Sequence, residues 1–382
     1  MDGPEHAART EVVRGEGALA RVPGIVAGRV FLVTDPGVVA AGHADRLQGL
    51  LESDRIEVHR YDEARPNPDE DDVDACHAAY QRARGDAELE WIVALGGGSA
   101  IDVAKGCAML ACGGGRMADY LGRGSIEVSS PKLVAVPTTA GTGSETQSFA
   151  LIGNRDTGQK MACGGTAPVA AVLDAELTLT MPASVTACTG LDTLTHAVEA
   201  YVTRRRSQAS CALALDAFRL AEESLETVLT QPADVEGRAQ MLHASALAGQ
   251  AIELSMLGAA HSMANPLTRR FDVAHGSAVG QSLPAVVAFN AGDPATRRRY
   301  AELARAAGLA TDEDAEDVAT AALGARLRAL VELADLPPLT DRVPASAADE
   351  LAAEAATQWT AQFNPRAVDA AAFAQLYREV LA

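Results

Sequence analysis

Positive charge is scarce in this sequence: 32 Lys and Arg stand against 51 Asp and Glu over 382 residues, a formal net charge of −19. Such a surface repels phosphate backbones and anionic lipid heads, and the longest basic run is only Arg204, Arg205 and Arg206. Nucleic acid and membrane surfaces are therefore not expected as partners. Long apolar runs are missing too. None reaches the roughly 20 residues of a membrane span, and the opening MDGPEHAARTEVVRGEG lacks the apolar core of a signal peptide, so a cytoplasmic protein is expected. Cysteine is sparse: Cys76, Cys107, Cys112, Cys163, Cys188 and Cys211 include no CxxC pair. That argues against a disulfide framework and a zinc ribbon, and the thiols are expected to be reduced and mostly buried. What remains is ordinary globular usage, 48% hydrophobic and 22% charged, in a chain long enough for two domains.

The two halves differ in pattern. From residue 28 to about 174, the runs GRVFLVTD, IEVHRYDE, WIVALGGG, KLVAVPTT and VAAVLD read as strands, and 38–51 and 69–84 have helical periodicity. Alternating strands and helices predict a parallel sheet with ligand sites at the carboxyl ends of its strands. After Met181 and Pro182 strand-like alternation stops and long helical patterns run to the end. The expected architecture is an α/β nucleotide-binding domain over 1–182 and an all-helical domain over 183–382, with the site in a cleft between them.

Two glycine turns carry chemistry in the first half. WIVALGGGSAIDVAKG puts Gly96, Gly97, Gly98 and Ser99 between a buried strand and a helix with Asp102 in its expected first turn, where free amides attract a pyrophosphate. It is not the GxGxxG fingerprint, and plain strand-to-helix packing is the competing reading. VPTTAGTGSETQSFA adds Thr138, Thr139, Thr142 and Ser144, hydroxyls suited to an oxygen-rich ligand or to their own turn. Two such loops after two parallel strands favour a dinucleotide. Asp35, closing a strand in VTDPG, either accepts bonds from an adenosine ribose and repels a 2′-phosphate, favouring NAD over NADP, or is a turn residue.

The second half offers metal ligands. GLDTLTHAVEAY sets Asp192 and His196 four residues apart on one helix face, where they form either a chelating pair or a simple salt bridge. His261 and His275, in GAAHSMANPLTRRFDVAHGSAVG, complete a carboxylate-and-imidazole set fit for a divalent ion; each alone reads as a core or cap histidine. His243 precedes His261 by 18 residues, about 27 Å along one continuous helix at ~1.5 Å per residue, so both cannot bind one ion if the helix is unbroken. His6, His43, His59 and His77 read as surface residues.

Taken in order, GGGSAIDVAKG, PTTAGTGSE, GLDTLTHAVEAY and the 261–275 segment resemble the iron-containing (group III) alcohol dehydrogenases, as do VTDPG, PNP at 66–68, VLDAELT at 172–178 and NPR at 364–366. The resemblance covers nearly the whole chain. It implies a dehydroquinate-synthase-like dinucleotide-binding domain, a helical domain, and a homo-oligomer, expected as a dimer. It further implies reversible hydride transfer between NAD, or NADP, and a small alcohol or aldehyde, with one divalent ion, Fe2+ or Zn2+, as Lewis acid. Residue by residue, Asp192, His196, His261 and His275 match the family's metal ligands. Asp35, Asn67, Gly97, Gly98, Ser99, Asp102, Thr138, Thr139, Thr142 and Lys160 match positions that contact or shape its cofactor site.

One departure concerns proton transfer. Asn265 occupies a position where many members carry a further His, and an amide does not titrate near neutrality. A proton relay there is in doubt, and the alternative is that Asn265 ends its helix before Pro266. A second enzyme reading is a reductase of an anionic carbonyl compound, of maleylacetate or phosphonoaldehyde type, with Arg269 or Arg270 holding the charge.

Overall fold

The structure is a computed structural model that describes residues 10–122 and 131–382; His6, read above as a surface residue, lies outside them. Backbone contacts divide the chain into two units, one of 1–139 with 143–180 and one of 140–142 with 181–382.

The first unit is built on a six-stranded parallel sheet of order β1-β8-β5-β4-β2-β3. These strands are β1 (Glu11–Arg14), β2 (Arg29–Val33), β3 (Glu57–Tyr61), β4 (Trp91–Gly96), β5 (Lys132–Pro137) and β8 (Ala170–Leu173), while β6 (Ala150–Gly153) and β7 (Lys160–Cys163) form an antiparallel pair. All five expected strands are present. The short edge strand β1 and the β6–β7 pair escaped the sequence pattern because their four residues are of mixed burial, too short a run to show alternation, whereas the equally short β8 is buried throughout and reads as one apolar run. In β2, Val30 and Leu32 enter one buried cluster while Phe31 and Val33 enter another. Side chains alternate across a strand, so an unbroken apolar run means that both sheet faces are covered.

The helices of this unit are α1 (Pro36–Ala40), α2 (His43–Ser53), α3 (Glu70–Arg84) and α4 (Gly98–Gly113). The single helix expected over 38–51 is two, because Gly42 takes a left-handed φ of 80° between them, a conformation that costs glycine little. His43 is not a surface residue. It opens α2 buried, with Nε2 2.8 Å from Thr180 Oγ1, whereas His59 and His77 are half-buried.

The regular elements of the second unit are helices, with no strand among its described residues: α5 (Ala183–Val202), α6 (Gln208–Thr230), α7 (Val235–Glu253), α8 (Ala259–Phe271), α9 (His275–Asn290), α10 (Pro294–Ala306), α11 (Glu316–Leu333), α12 (Ala348–Ala355) and α13 (Ala370–Val380). Two readings that the sequence left open are decided here. The helix carrying His243 does not continue to His261: α7 ends before α8 begins, and Gly258 stands at φ −142°, ψ −140°, outside the helical region. Nor does Asn265 end a helix, since α8 runs through Pro266 to Phe271. An interior proline costs about 3 kcal/mol, which is outweighed by the burial of His261, Met263, Ala264, Pro266 and Leu267; the Tyr377 hydroxyl also donates to Met263 O at 2.7 Å. No described helix is long and apolar enough to cross a membrane. All six cysteines are free, but only Cys76, Cys107 and Cys163 are buried; Cys188 and Cys211 are half-buried and Cys112 is exposed.

Candidate active site

In the first unit, β2 lies between β3 and β4 although β3 follows it and β4 comes later. The chain therefore leaves β2 in one direction and resumes in the other, which opens a crevice at the carboxyl ends of β2 and β4. Asp35 and the Gly96–Ser99 turn sit there. Asp35 Oδ1 accepts from the amides of Gly37 at 2.8 Å and Val38 at 3.0 Å, capping α1. Its Oδ2 faces the glycine turn, since a Cβ on Gly96 would come within 3.0 Å of it. Asp35 is thus both the turn residue and a carboxylate at the crevice.

The N-terminus of α4 has no side-chain cap, so its first amides are available to an anion. The turn is too crowded for side chains: a Cβ on Gly96 would lie 2.7 Å from Ala100 Cβ, and one on Gly97 would lie 3.3 Å from Thr139 Cγ2. The Thr138 amide donates to Gly96 O at 3.0 Å. Asn67, at φ 52°, donates its amide to Ser99 Oγ at 3.3 Å and accepts from Lys160 Nζ at 3.2 Å. Three separated segments thereby meet at the first turn of α4 with a lysine among them, a cradle that fits a pyrophosphate.

Asp102 does something else. It is the fifth residue of α4, past the first turn, and it is buried. Oδ1 accepts from Ser144 Oγ at 2.5 Å and Oδ2 from the Leu151 amide at 3.2 Å, while Lys105 Nζ lies 3.7 Å from Oδ1. Burial pushes its carboxyl upward and Lys105 opposes that. Asp102 therefore shapes the loop through inward bonds. Thr142 groups with the second unit, in the 140–142 segment.

In the second unit, α5 presents Asp192, His196 and Glu199 from successive turns, all buried. Three segments converge: among the described residues, Asp192, His261 and His275 offer ligand atoms that all lie within 4.8 Å of one another. His196 adjoins this group. Its Nε2 is 3.4 Å from Asp192 Oδ1, its ring stacks on His261 with centroids 4.7 Å apart, and its Nδ1 is 3.2 Å from Gly141 O.

His261 Nδ1 lies 2.7 Å from Glu199 Oε2. A neutral imidazole donating there turns the lone pair of Nε2 inward. That Nε2 stands 3.5 Å from Asp192 Oδ1, and both atoms are buried without a hydrogen-bond partner. Two electron-rich atoms facing each other away from water repel unless a proton or a metal ion lies between them. The donor set therefore fits a divalent ion. Burial opposes ionisation of Asp192, yet His196 and the other imidazoles hold its carboxyl well below the usual range. Burial would lower His261, but the Asp192 and Glu199 carboxylates beside its ring push it up to about 9, so a proton and a metal ion compete for Nε2, whereas burial leaves His196 lowered.

Glu199 and Gln358 were not singled out by the sequence. The signal for Glu199 was an acid on the same helix face as Asp192 and His196, three residues beyond the latter; Gln358, which accepts from Asn265 Nδ2 at 3.0 Å, had no signal. The two arginines considered for an anionic substrate are engaged elsewhere: Arg269 and Arg270 both pair with Glu354 at 2.7 Å, and Arg270 also with Glu350 at 2.5 Å.

Two family sequence models span the chain, "Iron-containing alcohol dehydrogenase" over residues 9–175 and "Fe-containing alcohol dehydrogenase family, C-terminal" over 186–381. Alcohol dehydrogenase 4 of Schizosaccharomyces pombe is 36% identical over 313 residues, covering 81% of this chain and 72% of its own length. A solved 1,3-propanediol oxidoreductase superposes with a TM-score of 0.92 at 29% identity, over 98% of this chain and 99% of that one. The sulfoacetaldehyde reductase of Bifidobacterium kashiwanohense, solved with NAD+, gives 0.86 at 26% identity, over 99% and 98%. Since the two models account for both halves in order, the chain belongs to the iron-containing alcohol dehydrogenase family and is an oxidoreductase acting on CH–OH groups.

Proposed function

We propose that the protein interconverts a small alcohol and its aldehyde with NAD, using one divalent ion held by Asp192, His196, His261 and His275. The observation that carries this reading is the buried, donorless approach of Asp192 Oδ1 to His261 Nε2 at 3.5 Å, with His275 in the same group. A bound Fe2+ or Zn2+ would supply Lewis acidity, and NAD would supply the hydride acceptor. The chain's own part is positional. Asp192 contributes the negative charge of the ligand set, and the buried walls exclude water, so that charge on a substrate oxygen is felt more strongly than in solution.

Residues 1–182 serve in this reading as the dinucleotide-binding domain, with Gly97, Gly98 and Ser99 offering amides to the pyrophosphate and Asn67, Thr138, Thr139 and Lys160 around them. Asp102 shapes that loop, and Thr142 completes the family's set. Asp35 disfavours a 2′-phosphate, so NAD is preferred over NADP. Residues 183–382 bind metal and substrate. The engaged state of Arg269 and Arg270 supports an uncharged substrate over an anionic one. The enzyme is taken to be a cytoplasmic homo-oligomer, dimeric in the simplest case, which sedimentation of the purified protein checks. The main test is a panel of neutral and anionic aldehydes and alcohols, assayed with NAD(H) and NADP(H) on protein of measured metal content. Turnover of neutral substrates with NAD(H), lost on chelation and restored by Fe2+ or Zn2+, is expected; turnover indifferent to chelation would overturn the metal role.

A further inference from the structure

We infer that Glu199 is a positioning residue for the metal site, fixing the tautomer and the place of His261 at once. This rests on the reading of His261 as a metal ligand. Glu199 is buried on α5 and its two oxygens accept from three N–H groups of one short stretch. The Gly258 amide donates to Oε2 at 2.9 Å, the Ala260 amide to Oε1 at 2.7 Å, and His261 Nδ1 to Oε2 at 2.7 Å. The first two are amides at the N-terminus of α8, where donors have no partner within the helix and an acceptor is stabilising. The third is the imidazole one residue further on.

The arrangement couples two functions. Gripping the amides of Gly258 and Ala260 sets where α8 starts, and therefore where His261 emerges. Accepting from Nδ1 leaves Nε2 as the lone-pair nitrogen, the atom that faces Asp192 Oδ1 at 3.5 Å. A metal-ligating imidazole needs its second nitrogen anchored in this way, which orients the ring and raises its basicity. Position 258 suits glycine for the same reason, because a Cβ there would lie 3.1 Å from Glu199 Oε1 and 2.9 Å from Asn364 Oδ1. Asn364, from the NPR run, accepts from the intervening Ala259 amide at 3.2 Å and exchanges bonds with Asn290. It steadies the helix end with no hydrogen bond to an imidazole, and so separates a structural role from a positioning one.

The experiment compares Co2+ binding to metal-free wild type, Glu199→Gln, Asn364→Ala and His261→Ala, by equilibrium titration and by the visible ligand-field spectrum of bound Co2+. Loss of a partner of this kind weakens metal binding by roughly 10- to 100-fold, and that loss, with an altered spectrum, is expected for Glu199→Gln. Asn364→Ala is expected to lower the melting temperature while leaving Co2+ affinity within a few-fold of wild type. Wild-type affinity in Glu199→Gln, or an equal loss in Asn364→Ala, overturns the inference. Wild-type affinity in His261→Ala instead removes the metal-site reading beneath it. If Glu199→Gln does not fold, nitrogen-15 NMR of the zinc-loaded wild type decides, since the inference requires the His261 proton on Nδ1 and a proton on Nε2 overturns it.

Discussion

Asn265 Nδ2 donates to Gln358 Oε1 at 3.0 Å, across 93 residues of sequence. The amide lies one turn beyond His261 on the same helix, four residues on, and its partner lies in the segment between α12 and α13. Neither group titrates near neutrality. The pair is a fixed donor and acceptor without an ionisable group.

Asn265→His is therefore expected to change the pH profile of turnover more than the metal content, because it adds a titratable group while sparing Asp192, His196, His261 and His275. Breaking the bond to Gln358 also costs about 1 kcal/mol of stability. Steady-state rates from pH 5 to 10 beside metal analysis check this. An unchanged profile together with a lower melting temperature would leave Asn265 a purely structural residue.

His261→Ala is expected to abolish tight metal binding and turnover, because it removes one of the three clustered donor side chains proposed to hold the ion. His243→Ala should retain metal, since His243 belongs to α7 and is not in that cluster. Metal stoichiometry after dialysis measures both, and equal retention in the two variants would rule out the site.

Preference for NAD is expected to relax in Asp35→Gly. The substitution removes the carboxylate beside Gly96, while glycine in place of a helix cap costs only a few tenths of a kcal/mol, so the charge effect is read without collapse of α1. The ratio of kcat/KM for NAD to that for NADP should fall towards one. Equal efficiency with both cofactors in the unaltered protein would sink the role assigned to Asp35.

Glu354 ties α12 to α8 through both arginines. Burial alone would raise its carboxyl, but Arg269 and Arg270 hold it below the ordinary 4.5. A carboxyl with a depressed folded pKa contributes stability above its unfolded pKa and loses it as pH falls through the folded value. Glu354→Gln should thus be less stable than wild type at pH 7, by about 1 kcal/mol for a partly exposed pair, and the difference should close below pH 4.5. Denaturant melts at pH 7, 5 and 3 test it; a gap that persists at pH 3 would assign the loss to packing.

The sequence by itself determined the class of each half and the chemistry on offer. Strand runs such as RVFLV and WIVALG are legible because burial on both faces demands unbroken apolar character, and the spacing of Asp192 and His196 is legible because helical periodicity is local. The Gly96–Ser99 turn was legible for the same reason. Tertiary structure alone decided the rest. Nothing within 258–261 shows that its N–H groups converge on Glu199, 59 to 62 residues earlier in the chain, nor that Asn265 would meet Gln358. Nor does the sequence show that Asp102 bonds inward, that His43 is buried, or that Pro266 sits inside a helix. Propensity and periodicity report on neighbours a turn or two away, whereas a buried polar atom is satisfied by whichever partner the packing brings to it, and packing outweighs a single local signal by several kcal/mol.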